Sequence, residues 1–164
     1  MKKYCIRLIV LVLALFFVQG CNENSSDKNE NDQDIAEGDN LAVLNPWIRP
    51  AAQGMNTAAF FTLENNTGVS DTLYDVSSEL AVLTQIHETF TDEDNRMGMR
   101  HIDFVEIPPH SKIEFKPGGK HVMFMRLKND LKAGKTAEVT LRFRKAGNVN
   151  IKADVKDLMP PNKL

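Results

Sequence analysis

Cysteine is nearly missing from this 164-residue chain: there are two, Cys5 and Cys21, both within the first 21 positions. If Cys5 leaves with a secretion signal and Cys21 carries lipid, as argued below, the mature protein has neither a disulfide nor a free thiol. That excludes a disulfide-stapled scaffold and a thiol oxidoreductase. A surplus of one charge is also lacking. Residues 41–164 carry 16 basic and 15 acidic side chains, a balance that gives no support for nucleic-acid binding. No serine stands in a recognisable nucleophile motif and no pair of catalytic carboxylates is evident, so no enzyme is expected. No long segment shows a helical period, and no internal repeat is evident.

The one long apolar run is Leu8–Val18, eleven residues preceded by Lys2, Lys3 and Arg7. It is shorter than the ~20 residues of a spanning helix and fits the apolar region of a signal peptide. It ends in Val18-Gln19-Gly20-Cys21, a lipobox-like sequence with a small residue before the cysteine. The expectation is a signal peptide over 1–20 and an exported lipoprotein with Cys21 lipidated as its mature first residue. Such a protein is anchored to a bacterial membrane and faces the periplasm or the cell exterior. Asn22 is not the Asp associated with inner-membrane retention, which favours the outer membrane where a cell has two. Residues 22–40 hold seven acidic side chains against Lys28 alone and almost no large apolar ones, so 21–40 reads as a lipidated cysteine followed by a disordered acidic tether.

From Leu41 onward the pattern is short β-type runs punctuated by turn residues. The expected strands are 41–48, 57–64, 73–77, 83–90, 97–107, 112–116, 121–127, 136–144 and 149–155. Between them lie Asn65-Asn66-Thr67-Gly68, Asp92–Asn95, Pro108-Pro109, Pro117-Gly118-Gly119 and Ala146-Gly147-Asn148. Val139, Leu141 and Phe143 alternate with Thr140, Arg142 and Arg144, as in a half-buried strand. Strands at this spacing argue for an all-β sandwich over 41–156, followed by a short tail, 157–164. The single tryptophan, Trp47, is expected to anchor the core, and Met55, Met125 and Met159 to serve as packing residues.

Against this background one stretch stands out. His87 is followed after eleven residues by Met99, and after twenty-one more by His121-Val122-Met123. In a strand His121 and Met123 share one face while Val122 and Phe124 take the other. His87 and Met99 flank the hairpin turn Asp92–Asn95. Thioether sulfur is a neutral, polarisable donor that suits Cu(I) far better than zinc, calcium or magnesium. The four residues His87, Met99, His121 and Met123 are therefore the candidate metal ligands, and Cu(I) the expected metal. Met97 and His101 fall two positions on either side of Met99 and remain open as a rival or a fifth ligand.

The His, Met and His-x-Met intervals resemble the signature of the PCu(A)C family of extracytoplasmic copper chaperones, and the resemblance extends from about Leu41 to Val155. Asn45-Pro46-Trp47-Ile48-Arg49-Pro50, Lys116-Pro117-Gly118-Gly119 and Lys145-Ala146-Gly147 belong to it as well. The resemblance implies a small Greek-key β-sandwich of cupredoxin-like or immunoglobulin-like shape. It implies one copper, delivered to a copper-accepting respiratory oxidase subunit, with thiol-disulfide copper chaperones as further partners, the carrier itself acting as a monomer. Position 88 is Glu where some relatives carry Met. The tail has no His, so the second copper site attributed to some relatives' tails is not expected here. The competing readings are a lipoprotein interaction module with no metal, and a copper buffer with no dedicated recipient.

Overall fold

A computed structural model of the chain describes residues 36–38 and 41–157. The signal, Cys21, most of the tether and the end of the tail, Met159 included, lie outside the described residues. Eleven strands follow one another: β1 Ala36–Gly38, β2 Leu41–Ile48, β3 Thr57–Asn65, β4 Asp71–Ser77, β5 Ala81–Thr91, β6 Met97–His101, β7 Val105–Ile107, β8 Ser111–Phe115, β9 Lys120–Leu127, β10 Thr136–Phe143 and β11 Gly147–Val155. No helix occurs among the described residues. The hydrogen-bonded path runs β6-β5-β9-β8-β3-β2-β11-β10-β4-β7, with β1 added on β2. The fold class is the expected all-β sandwich.

Period-2 patterning sets the inner faces. Along β10, Ala137, Val139, Leu141 and Phe143 are buried, and β11 answers with Val149, Ile151, Ala153 and Val155. These residues meet Val122, Phe124, Ile86, Ala59, Phe61 and Leu63 from the other side in one continuous core. A β-bulge at Leu44/Trp47, with Asn45 at φ 52°, shifts the phase of β2. Leu41 and Val43 are buried before it, and Ile48 after it. Polar anchors hold the opposite end of β3. The buried Asn65 side chain donates to the carbonyls of Val69 (2.8 Å), Ile107 and Pro108 (both 3.1 Å). The buried Asp71 carboxylate accepts from the backbone N–H groups of Lys145 and Ala146.

Four expectations need correction. The run 97–107 is two strands: β6 pairs with β5 and β7 with β4, and the chain leaves the first sheet edge between them. Residues 36–38, assigned to the tether, pair antiparallel with 41–43 of β2. Trp47 is absent from the core. The bulge turns it to the opposite face, where its ring packs on Phe60 with centroids 4.6 Å apart. Met55 is exposed and Met125 only half-buried, so neither fills the core.

Candidate metal centre

β5 is the axis of the candidate site, because it pairs with β6 on one side and β9 on the other. The registers place His87 opposite both His101 and His121, Thr89 opposite Met99, and Gln85 opposite Met123. Strand alternation puts all of these on one face, the one turned away from Val122 and Phe124. Three imidazoles therefore form a row across three strands. Ring centroids are 6.0 Å apart for His101–His87 and 5.9 Å for His87–His121. Met99 and Met123 lie diagonally about that row, one residue pair to either side. Beyond β9, β3 sets Ala58 opposite Met123 and brings Phe60 against His121 (centroids 6.3 Å apart).

Met99, His121 and Met123 line a cleft of ≈ 290 Å³ with Thr89, Phe60, Arg49, Pro117 and Gly118 among its walls. No carboxylate lines it. The guanidinium of Arg49 lies 5.2 Å over the Phe60 ring, and the charge lining the cleft is therefore positive. Calcium and magnesium require several oxygen ligands and find no anionic one here. Among the described residues no three His, Cys, Asp or Glu side chains converge to hold a metal, so a closed site on this face has to draw on sulfur.

The two paired histidines are prepared differently. His121 is only 4% exposed, although it stands near the start of β9 on the face turned away from Val122 and Phe124. Its Nδ1–H donates to the Gly119 carbonyl at 3.0 Å, which leaves Nε2 as the free donor nitrogen. His87 Nε2 meets the Gln85 side-chain oxygen at 3.3 Å, and its buried Nδ1 has no partner at all. A buried nitrogen lone pair without a donor is costly unless something electrophilic occupies it. Burial, and then the charges of His121 and His101, hold the His87 pKa below the usual imidazole value. The neutral, ligating form of His87 is thereby favoured.

Of the rivals, Met97 is 73% exposed, lies opposite Thr91 and is not part of the cleft. Met99 is 60% exposed but reaches the cleft wall. His101 lies in the imidazole row but outside the cleft, facing a separate hollow. The sequence reading missed Gln85, Gly119 and Phe60 as supports. A signal existed for Gln85, which precedes His87 by two residues on β5 and so shares its face, whereas Gly119 lies in the turn before β9 and acts through its backbone carbonyl. Phe60 required knowledge of the strand pairing.

Residues 41–155 match the LpqE-like family, described as "Putative lipoprotein LpqE-like". The chain is 32% identical over 126 residues to "Putative lipoprotein Lxx21020" of Leifsonia xyli subsp. xyli, covering 77% of this chain and 75% of that protein. The apo PCuAC domain from PmoF1 superposes with a TM-score of 0.65 at 31% identity, over 74% of this chain and 98% of that one. The copper-bound PCuAC domain from PmoF2 gives 0.63 at 27% identity, over 74% and 97%. This chain belongs to the LpqE-like family, and its strand-built body is a PCuAC domain.

Proposed function

We propose that the protein is a copper chaperone, not an enzyme. It binds one Cu(I) through His87, Met99, His121 and Met123 and passes it to the copper centre of a respiratory oxidase subunit. The carrying observation is the register. It gathers two imidazoles and two thioethers, distant in sequence, on one face beside a cleft without carboxylates. The match to a domain solved with copper supports the choice of metal, and the neutral sulfur donors favour its reduced state. Lipidation at Cys21 holds the protein on its membrane, in keeping with a family described as lipoproteins.

Transfer follows from the donor set. Neutral thioethers bind Cu(I) less strongly than thiolates do, so the ion moves downhill to a recipient whose cysteines are reduced. A recipient disulfide offers no thiolate and accepts little, which gives thiol-disulfide partners a role in preparing it. The exposed Met99 is the donor from which exchange begins, because an incoming ligand reaches it without opening the core.

The test is an anaerobic Cu(I) titration against a competing chelator, followed by transfer to a reduced binuclear-copper domain. One Cu(I) with sulfur and nitrogen neighbours in X-ray absorption is expected. The Met99→Ala, Met123→Ala double variant is expected to bind roughly 10–100-fold more weakly or worse and to fail in restoring oxidase activity at low copper. A shell of nitrogen and oxygen alone removes the thioether site. Full restoration by the double variant removes it as the delivery site.

A further inference from the structure

The imidazole row is longer than the proposed Cu(I) site needs. His101, on the sheet-edge strand β6, faces His87 directly. It does not line the cleft of Met99, His121 and Met123. It lines a second hollow of ≈ 320 Å³ that includes Gln85, Tyr74, Asp75 and Asp103. The row therefore lies between two unlike environments: one has sulfur and no carboxylate, the other has imidazole, amide oxygen, the Asp103 carboxylate and Asp75, which pairs with Arg142.

We infer that His101 and His87 form a cross-strand bis-imidazole seat for Cu(II), sharing His87 with the thioether site. Cu(II) prefers nitrogen and oxygen donors in a tetragonal arrangement and gains little from thioethers. Directly paired residues on adjacent strands carry side chains close enough to take one ion between them. The ring centroids are 6.0 Å apart, and His101 is exposed at the end of the edge strand. The Asp103 carboxylate lies 3.8 Å from His101 Nδ1, beyond hydrogen-bond distance, and puts an anionic oxygen beside the pair. Solvent supplies the remaining positions at this open edge. His87 has a single unpartnered nitrogen, Nδ1, so it serves one ion at a time. Cu(II) at the pair and Cu(I) at the thioethers consequently exclude one another. That exclusion rests on the Cu(I) reading above, whereas the seat itself rests on His87 and His101 alone.

The test uses the full chain and the metal alone. Cu(II) is added without reductant and followed by electron paramagnetic resonance, while Cu(I) affinity is measured anaerobically by chelator competition. The wild type is expected to show hyperfine coupling to two imidazole nitrogens, a signal that vanishes on prior loading with one Cu(I). His101→Ala is expected to lose the two-nitrogen signature and weaken Cu(II) by roughly 10–100-fold, with Cu(I) affinity within about twofold of wild type. Because His101 is exposed on an edge strand, this variant leaves the core intact. A Cu(II) spectrum and affinity that survive His101→Ala overturn the seat, as does an equal loss for both oxidation states. A two-nitrogen signal persisting beside a full Cu(I) load overturns the sharing of His87. Cu(I) affinity indifferent to the Met99→Ala, Met123→Ala double variant refutes the thioether reading alone, because the Cu(II) arm is read separately.

Discussion

At the scale of single residues, His87 combines a buried, unpartnered ring nitrogen with a lowered pKa. Its pKa is lowered by burial first, then by the His121 and His101 rings. The unfolded chain therefore takes up this proton first as pH falls. The stability contribution of neutral His87 is present above the unfolded imidazole value, about 6.5, and is lost as pH drops through the folded value. Proton NMR of the apoprotein is expected to give His87 a midpoint below about 6.5, and His101→Ala is expected to raise it by removing one of the two charges. A midpoint at or above the ordinary value contradicts the burial seen here. His121 carries a different lesson. The period-2 pattern assigned it to the outer face, but the pattern is silent on Phe60, which covers that face and leaves His121 buried.

At the scale of elements, the hairpin of β5 and β6 decides how firmly Met99 is held. Among the described residues β6 has no strand neighbour but β5, and none of its residues is buried. Its opposite face is fastened by one small cluster. Phe90 packs over Gly98 so closely that a Cβ there would lie 2.7 Å from the ring. The Arg100 guanidinium lies 5.3 Å over the same ring and pairs with Glu88 at 2.5 Å. An aromatic covering a cross-strand glycine is a recognised way to pin an edge strand. Amide exchange at 97–101 is expected to be faster than at 121–125, and Phe90→Ala to lower β6 protection by about 1 kcal/mol, with Cu(I) binding weakened in parallel. Unchanged protection would mean that backbone pairing alone holds the strand. The hairpin itself was legible, because His87 and Met99 flank an acidic turn of four residues. The break after His101 was not. Ile102, Asp103 and Phe104 carry no glycine or proline, and only the demand of β4 for a partner at 105–107 draws the chain away. Trp47 was misjudged for a related reason: a bulge of one residue reverses every face beyond it.

At the scale of the whole molecule, the buried core and the proposed metal site lie on opposite sides of the same strands. Leu141 is fully buried in the shared core, so Leu141→Ala is expected to cost about 2–5 kcal/mol in chemical denaturation. Met99→Ala removes an exposed side chain and is expected to shift stability by less than about 0.5 kcal/mol, even as it weakens copper binding. Comparable losses for both variants would place Met99 in the folding core, against its exposure. The pleat of β9 thus has a consequence for design. Val122 and Phe124 specify the scaffold, while the alternating His121 and Met123 are free to serve as the proposed metal ligands. Two alphabets are interleaved in one segment with little cross-talk. Rewriting Met99 to cysteine or histidine exchanges a neutral soft donor for a thiolate or a second kind of nitrogen, leaving the twenty-five buried apolar residues of the core unaltered. One scaffold can in this way be re-addressed from Cu(I) to other metals by editing letters that folding does not read.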